Sequence, residues 1–352
     1  MSDFFRNLAE DIKDEDTSIA ADGTGSAEYT GTIDTGSFIL NAVMSGSLYG
    51  GIPNNKITAF AGETTTGKTF FALGVIKQFL IDNPTGGVIY YDTEAAVTKD
   101  MMESRGIDTR RIVLAEPQSI QKFRAHALRT IEEYEKTPEA KRPPMMMVLD
   151  SLGILSSEKE LADSLAGNDT RDMTKAQLIR RTFRVLTLKL AKVKVPMIVT
   201  NHVYEVIGSY IPMKEMGGGS GLKYAASTIA YLSKKKERDG KDVVGNIIKV
   251  KMFKSRLSKE NKEVECLLNY DTGLDRYYGL VQLACDAGAW NSVANRIDTG
   301  QAKVYPKAIL KEPEKYFTGE VMTIIEQHVN KKFSYGDALN DRTDDSVESN
   351  TE

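Results

Sequence analysis

Short uninterrupted apolar runs alternate along most of the chain with longer stretches in which apolar residues recur at helical spacing. The runs Lys56–Ala61, Gly87–Tyr91, Arg111–Ala115, Met145–Leu149 and Val195–His202 predict strands. Their apolar character without polar alternation places them in a parallel sheet covered on both faces. Between them, Phe70–Leu80 predicts a helix with Phe71, Val75, Ile76 and Phe79 along one stripe, as do Thr98–Arg105, Ser119–Tyr134 and the long basic segment Arg171–Val193. The rhythm predicts an α/β fold, a mostly parallel sheet flanked by helices. From Thr228 it changes: Thr228–Ser233, Asn246–Phe253 and Lys262–Tyr270 follow one another without helices, which predicts an antiparallel extension of the sheet.

The two ends read differently. Residues 1–13 place Phe5, Leu8, Ala9 and Ile12 on one face of a helix too short to stand alone. The acidic, Ser/Thr/Gly-rich stretch up to Tyr29 has linker composition. Such a tethered helix docks either on its own core or, through Phe5, Leu8 and Ile12, on a neighbouring subunit. Residues 289–334 are too few for a large core and predict a small C-terminal cap with a helix at Val321–Val329, and from Tyr335 the composition is that of an acidic disordered tail. The expected divisions are 1–29, 30–288, 289–334 and 335–352.

With 352 residues, 41% hydrophobic and 27% charged, the chain can hold one large soluble core. No apolar run approaches the ~20 residues of a membrane span, and no secretory leader pattern precedes the core. The two cysteines, Cys266 and Cys285, lie in apolar stretches without metal-ligand spacing, which fits buried thiols in a reducing cytoplasm. A net charge of −3 does not advertise nucleic acid, so any such affinity rests on local patches. Residues 171–194 and 234–262 are strongly basic. By charge alone these are either polyanion sites or a solvated helix face and an exposed hairpin.

The chemistry concentrates where strands end. Gly62-Glu63-Thr64-Thr65-Thr66-Gly67-Lys68-Thr69 fits the phosphate loop G-x-x-x-x-G-K-[ST] and joins a strand to a helix, as that loop must. The glycines let successive N–H groups turn inward to phosphate oxygens, Lys68 reaches the β- and γ-phosphates, and the Thr69 hydroxyl ligates Mg²⁺. Met145–Leu149 ends in Asp150, a carboxylate placed to hold the metal through water, and Gly87–Tyr91 ends in Asp92-Thr93-Glu94. Glu94 is the candidate for orienting the attacking water.

Taken in order, the phosphate loop, Asp92-Thr93-Glu94, Leu149-Asp150-Ser151-Leu152-Gly153, Asp172-Met173-Thr174, Asn201-His202-x-Tyr204-Glu205, Met216-Gly217-Gly218-Gly219 and the paired basic strands resemble the RecA-type strand-exchange recombinases. The similarity is greatest to the UvsX-type recombinases of T4-type bacteriophages and covers roughly Thr35–Gly288. It implies a P-loop NTPase core of the RecA kind that binds ATP and Mg²⁺ and forms helical filaments on single-stranded DNA. Such filaments pair with double-stranded DNA in a bacterial host's cytoplasm, with single-strand-binding and mediator proteins as partners.

By position, the resemblance makes Lys68 and Thr69 the phosphate and metal residues, Asp150 the Walker B acid and Glu94 the catalytic acid. Two DNA-binding loops fall at about Ser156–Arg171 and Val203–Gly221, with Arg171, Lys175, Arg180, Arg184, Tyr204 and Gly217, Gly218 and Gly219 as DNA contacts. His202 stands where relatives usually carry a γ-phosphate-sensing Gln, which implies a pH-sensitive coupling. Lys254 and Arg256 match cations that reach a neighbour's nucleotide, and alternate positions on a strand point them the same way. Where many relatives stack adenine, Ala115–Ser119 offers no aromatic. Two other activities use the same core: a hexameric ring helicase, and an ATP-regulated DNA-coating or mediator protein with little turnover.

Overall fold

The computed structural model describes residues 3–12, 28–168, 172–205, 214–239 and 242–335. The linker after residue 12, Arg171, part of each candidate DNA loop and the acidic tail lie outside the described residues. After helix α1 (Asp3–Ile12), a ribbon of β1 (Thr32–Ile33) and β2 (Ile52–Pro53) encloses α2 (Phe38–Ser45), and β3 (Ile57–Gly62) leads into α3 (Lys68–Asp82). Then follow β4 (Gly87–Asp92), α4 (Lys99–Glu103), β5 (Ile112–Ala115), α5 (Ile120–Lys136), β6 (Met145–Asp150), α6 (Glu158–Leu165), α7 (Lys175–Lys192), β7 (Met197–Glu205), β8 (Lys214–Met216) and α8 (Gly221–Ala225). The extension is β9 (Thr228–Asp239), β10 (Asp242–Lys254), β11 (Glu263–Asn269) and β12 (Gly273–Leu274). It is followed by α9 (Leu280–Asp286), β13 (Asn291–Val293), β14 (Arg296–Asp298), β15 (Lys303–Val304), α10 (Pro306–Lys311), α11 (Pro313–Tyr316) and α12 (Gly319–Phe333).

The main sheet runs β12-β11-β10-β9-β3-β7-β6-β4-β5. Strands β5, β4, β6, β7, β3 and β9 are mutually parallel, and the direction reverses at the β9–β10 hairpin and again at β11. Apolar residues on both faces of the parallel strands therefore feed two cores. One holds Phe60, Phe71 and Tyr90 under α2, α3, α9 and α12; the other holds Tyr91, Phe123, Met147 and Phe183 under α5 and α7. This arrangement matches the α/β fold with an antiparallel extension.

Several boundaries moved for local reasons. Helix α7 begins at Lys175 because Asp172 engages the Thr174 backbone and hydroxyl instead of entering the helix. Helix α2, buried on all sides, was masked in the sequence by the turn residues around it. Cys266 is buried but Cys285 is only partly so, which corrects the expectation for the second thiol. Residues 289–334 pack on the main core through Trp290, Phe317, Ile325 and Val329. Glu326 of α12 accepts hydrogen bonds from the Ser47 hydroxyl and the Leu48 N–H, both 2.7 Å, and Ser258 donates to the Val43 carbonyl at 2.6 Å.

Candidate functional site

At the carboxyl ends of β3, β4 and β6 the chain ends come together beside β7, with Gly62 opposite His202 and Asp92 opposite Asp150, while β7 itself continues to Glu205. The phosphate loop turns there through left-handed backbone at Thr65 (φ 63) and Gly67 (φ 88). A Cβ on Gly67 would come within 2.8 Å of Leu268 and one on Gly62 within 2.8 Å of the Leu232 carbonyl, so neither position admits a side chain. A cleft of about 320 Å³ opens above the loop, lined by Thr64, Thr65, Gly67, Lys68, Thr69, Glu94 and His202 on one side. Phe70, Arg105, Asn246, Leu268, Asn269 and Tyr270 complete the lining.

Lys68 is buried and donates to the carbonyls of Gly62 (3.2 Å) and Glu63 (2.9 Å). Burial lowers its pKa, and the charges of Glu94 and Asp150 pull it back. Its Nζ also lies 3.5 Å from Nδ1 of His202, whose Nε2 is 3.1 Å from Oε1 of Glu94. One neutral tautomer serves both contacts: Nδ1 accepts from the ammonium and Nε2–H donates to the carboxylate. The Ser151 hydroxyl adds a 2.7 Å bond to the same Glu94 oxygen. Burial raises the Glu94 pKa, but the bonds from Ser151 and His202 and the charge of Lys68 outweigh it, and the carboxyl settles below its usual value.

Asp150 is also buried, and its two oxygens accept hydroxyls from Tyr90 (2.7 Å) and Thr200. Burial and this carboxylate raise Tyr90 well above an ordinary phenol. Thr69 and Asp150 are hard oxygen donors suited to Mg²⁺, and among the described residues no set of three His, Cys, Asp or Glu side chains could hold a metal alone. Such a pair fits a metal completed by phosphate oxygens and water. Asp92 accepts the N–H groups of Glu94 (3.0 Å) and Val97 (3.1 Å) and so fixes the turn that aims Glu94.

Sequence reasoning passed over Asp92, Tyr90 and Thr200, although a buried strand ending in a carboxylate signals a need for such partners. Tyr270 and Asn246 gave no local signal, because only the pairing of β10 with β11 brings them to the cleft. The Arg105 guanidinium, stacked 4.5 Å over the Phe70 ring, was equally silent.

The candidate DNA residues gather around α7 and the glycine segment. Strand β8 folds back on β7, pairing Val203 with Met216 and Tyr204 with Glu215. The Asn201 amide donates to the Gly217 carbonyl (2.9 Å) and Gly217 N–H to the His202 carbonyl (2.9 Å). Gly218 (φ 80) and Gly219 (φ 75) lie on α7, where a Cβ would stand 2.7 Å from Ile179 and 3.2 Å from Ala176. Arg180 and Arg184 are exposed, with the Arg180 guanidinium 5.5 Å over the Tyr224 ring. Lys175 instead pairs with Glu160 at 3.1 Å, and Tyr204 is exposed.

Lys254 and Arg256 do not line the chain's own cleft. The strand-alternation argument for them fails, because β10 ends at Lys254 behind a register shift and Arg256 lies in a turn where the Ser255 hydroxyl accepts from the Leu257 and Ser258 N–H groups. They are nevertheless close: burial and then Arg256 lower the pKa of both Lys254 and Lys56. In α1, Phe5, Leu8 and Ile12 are 62, 43 and 51% exposed.

Residues 11–275 match the family described as the RecA N-terminal domain. The chain belongs to the RecA family. The "Recombination and repair protein" of Enterobacteria phage T4 is 29% identical over 250 residues, 71% of this chain and 62% of that protein. "Protein RecA" of Chloroherpeton thalassium is 28% identical over 89% of this chain and 85% of its own, and that of Deinococcus radiodurans 30% identical over 77% and 73%. RecA-family membership accounts for the phosphate loop and the parallel core together, and no helix among the described residues is long and apolar enough to cross a membrane.

Proposed function

We propose that this RecA-family chain is an ATP-dependent recombinase. It polymerises on single-stranded DNA, pairs that strand with a homologous duplex and exchanges strands, with turnover stimulated by DNA. The reading rests on one observation: His202, within reach of Lys68 and Glu94, sits on the strand that also bonds Gly217 of the second candidate DNA loop. Chemistry at the phosphates and grip on the polynucleotide thus share one backbone.

In this scheme the amides of Gly62–Thr69 and the Lys68 ammonium hold the triphosphate of ATP, and Thr69 and Asp150 hold Mg²⁺, which would neutralise phosphate charge. Glu94 orients the water, and His202 carries the state of the γ-phosphate into β7. Lys254 and Arg256 complete the cleft of the next protomer; their crowding with Lys56 forms a cationic cluster that favours an incoming polyanion. Phe5, Leu8 and Ile12 pack on that neighbour. Arg171, Arg180 and Arg184 hold DNA phosphates, with Tyr204 and Gly217–Gly219 close to the strand. The recombination and repair named for the phage T4 relative agrees with this assignment. Single-strand-binding and mediator proteins in a bacterial host's cytoplasm would be its partners.

Electron microscopy of the ATP-bound protein on single-stranded DNA, paired with turnover measured with and without DNA, tests the reading. A continuous helix with DNA-stimulated turnover supports it. Closed rings would indicate a helicase, and a coat without turnover a mediator.

A further inference from the structure

The last carbonyls of a helix have no partner within it and must find one elsewhere. In α8, which directly follows the glycine segment, Lys254 fills that role: its Nζ donates to the carbonyls of Lys223 (2.9 Å), Tyr224 (3.3 Å) and Ala226 (2.7 Å). An ammonium has three N–H bonds. All are committed to α8. Arg256 takes no part in the cap, although with burial and Lys223 it presses the Lys254 pKa down while Glu260 pulls it up.

We propose that Lys254 is a two-position contact: it caps α8 of its own protomer or bonds the phosphates held by the next one, and cannot do both fully. The proposal rests on the filament reading above. A phosphate oxygen carries a full negative charge where a carbonyl presents only a dipole, so it attracts the ammonium more strongly. An apposed nucleotide therefore draws the ammonium away, the carbonyls at the end of α8 lose their donor, and the turn through Tyr224 and Ala226 loosens. Gly218 and Gly219, seated on α7 immediately before α8, are then released toward DNA. The coupling is reciprocal: a strand that rearranges the glycine segment frees Lys254 for the neighbour.

Hydrogen exchange by mass spectrometry on the full chain without nucleotide reads the cap directly. Lys254→Ala should speed exchange of the Tyr224 and Ala226 amides roughly tenfold, the cost of losing bonds to a charged donor. Lys254→Gln, which keeps a shorter donor, should fall between, and Arg256→Ala should leave those amides at the wild-type rate. Lys254→Ala should also raise nucleotide-free affinity for an oligo-dT strand several-fold, toward the value that wild type reaches only with a non-hydrolysable ATP analogue.

Unchanged exchange in Lys254→Ala, equal exchange in the Lys254 and Arg256 variants, or unchanged or weaker dT binding overturns the proposal. Turnover and microscopy of the same samples keep the outcomes separate. If wild type forms no filament and neither variant slows hydrolysis, the filament reading itself has failed.

Discussion

His202 holds Glu94 from one side, Nε2 to Oε1 at 3.1 Å, while its other nitrogen faces the Lys68 ammonium. The imidazole thus connects the phosphate-loop lysine with the carboxylate proposed to direct water. Glu94→Gln should lower turnover about a hundredfold or more while changing ATP affinity little, since it removes proton acceptance and not phosphate binding. A single-turnover assay beside equilibrium nucleotide titration checks this.

The same carboxyl has a definite pH behaviour. Its pKa lies below the ordinary 4.5, so the charge contributes fully above that value and is lost only as pH falls through the lowered one. Ser151→Ala removes one of the bonds responsible. The acid limb of the kcat/KM profile should therefore move to higher pH in this variant.

Asp172 provides a second titration, away from the cleft. It accepts from Ser157 (2.5 Å) and from the N–H (2.8 Å) and hydroxyl (2.7 Å) of Thr174, which lower its pKa from 3.8 to about 2. Its stabilising effect is present above the unfolded value and disappears as pH falls through the folded one. Wild type should lose its advantage over Asp172→Asn between about pH 4 and pH 2, followed by chemical denaturation.

Salt dependence separates the cations of α7. Each phosphate contact contributes a log–log slope near −0.7 for single strands. Arg180→Ala and Arg184→Ala should each flatten the slope by about that amount, whereas Lys175→Ala, whose ammonium is held by Glu160, should flatten it less. Fluorescence titrations over a series of salt concentrations give the slopes.

Gly221 meets α7 backbone to backbone. A Cβ there would stand 2.8 Å from the Arg180 nitrogen and 2.9 Å from its Cα, neither of which can rotate aside. Gly221→Ala should cost about 2 kcal/mol or more and lower Tm, where Gly219→Ala, meeting the Ala176 Cβ at 3.2 Å and its Cα at 4.0 Å, should be milder in contacts but strained at φ 75.

The parallel core was legible because burial on both faces writes itself as unbroken apolar runs, and the phosphate loop because its spacing is rigid. Asp150 and Glu94 were legible as carboxylates at strand ends. Asp92 was not, since its task is to receive N–H groups from the turn that follows and nothing in its spacing reveals that. The part of the cleft lined by Tyr270, Asn246 and Arg105 is created by pairing between distant segments, so no local pattern could announce it. Arg256 misled for the opposite reason: regular alternation was assumed across a strand end that the Ser255 turn interrupts.

The Glu326 carboxylate closes the turn behind α2 from the far end of the polypeptide. Residues near position 47 therefore wait for a partner 279 positions further along the chain, and the side of α2 that meets α12 is covered only when that last helix docks.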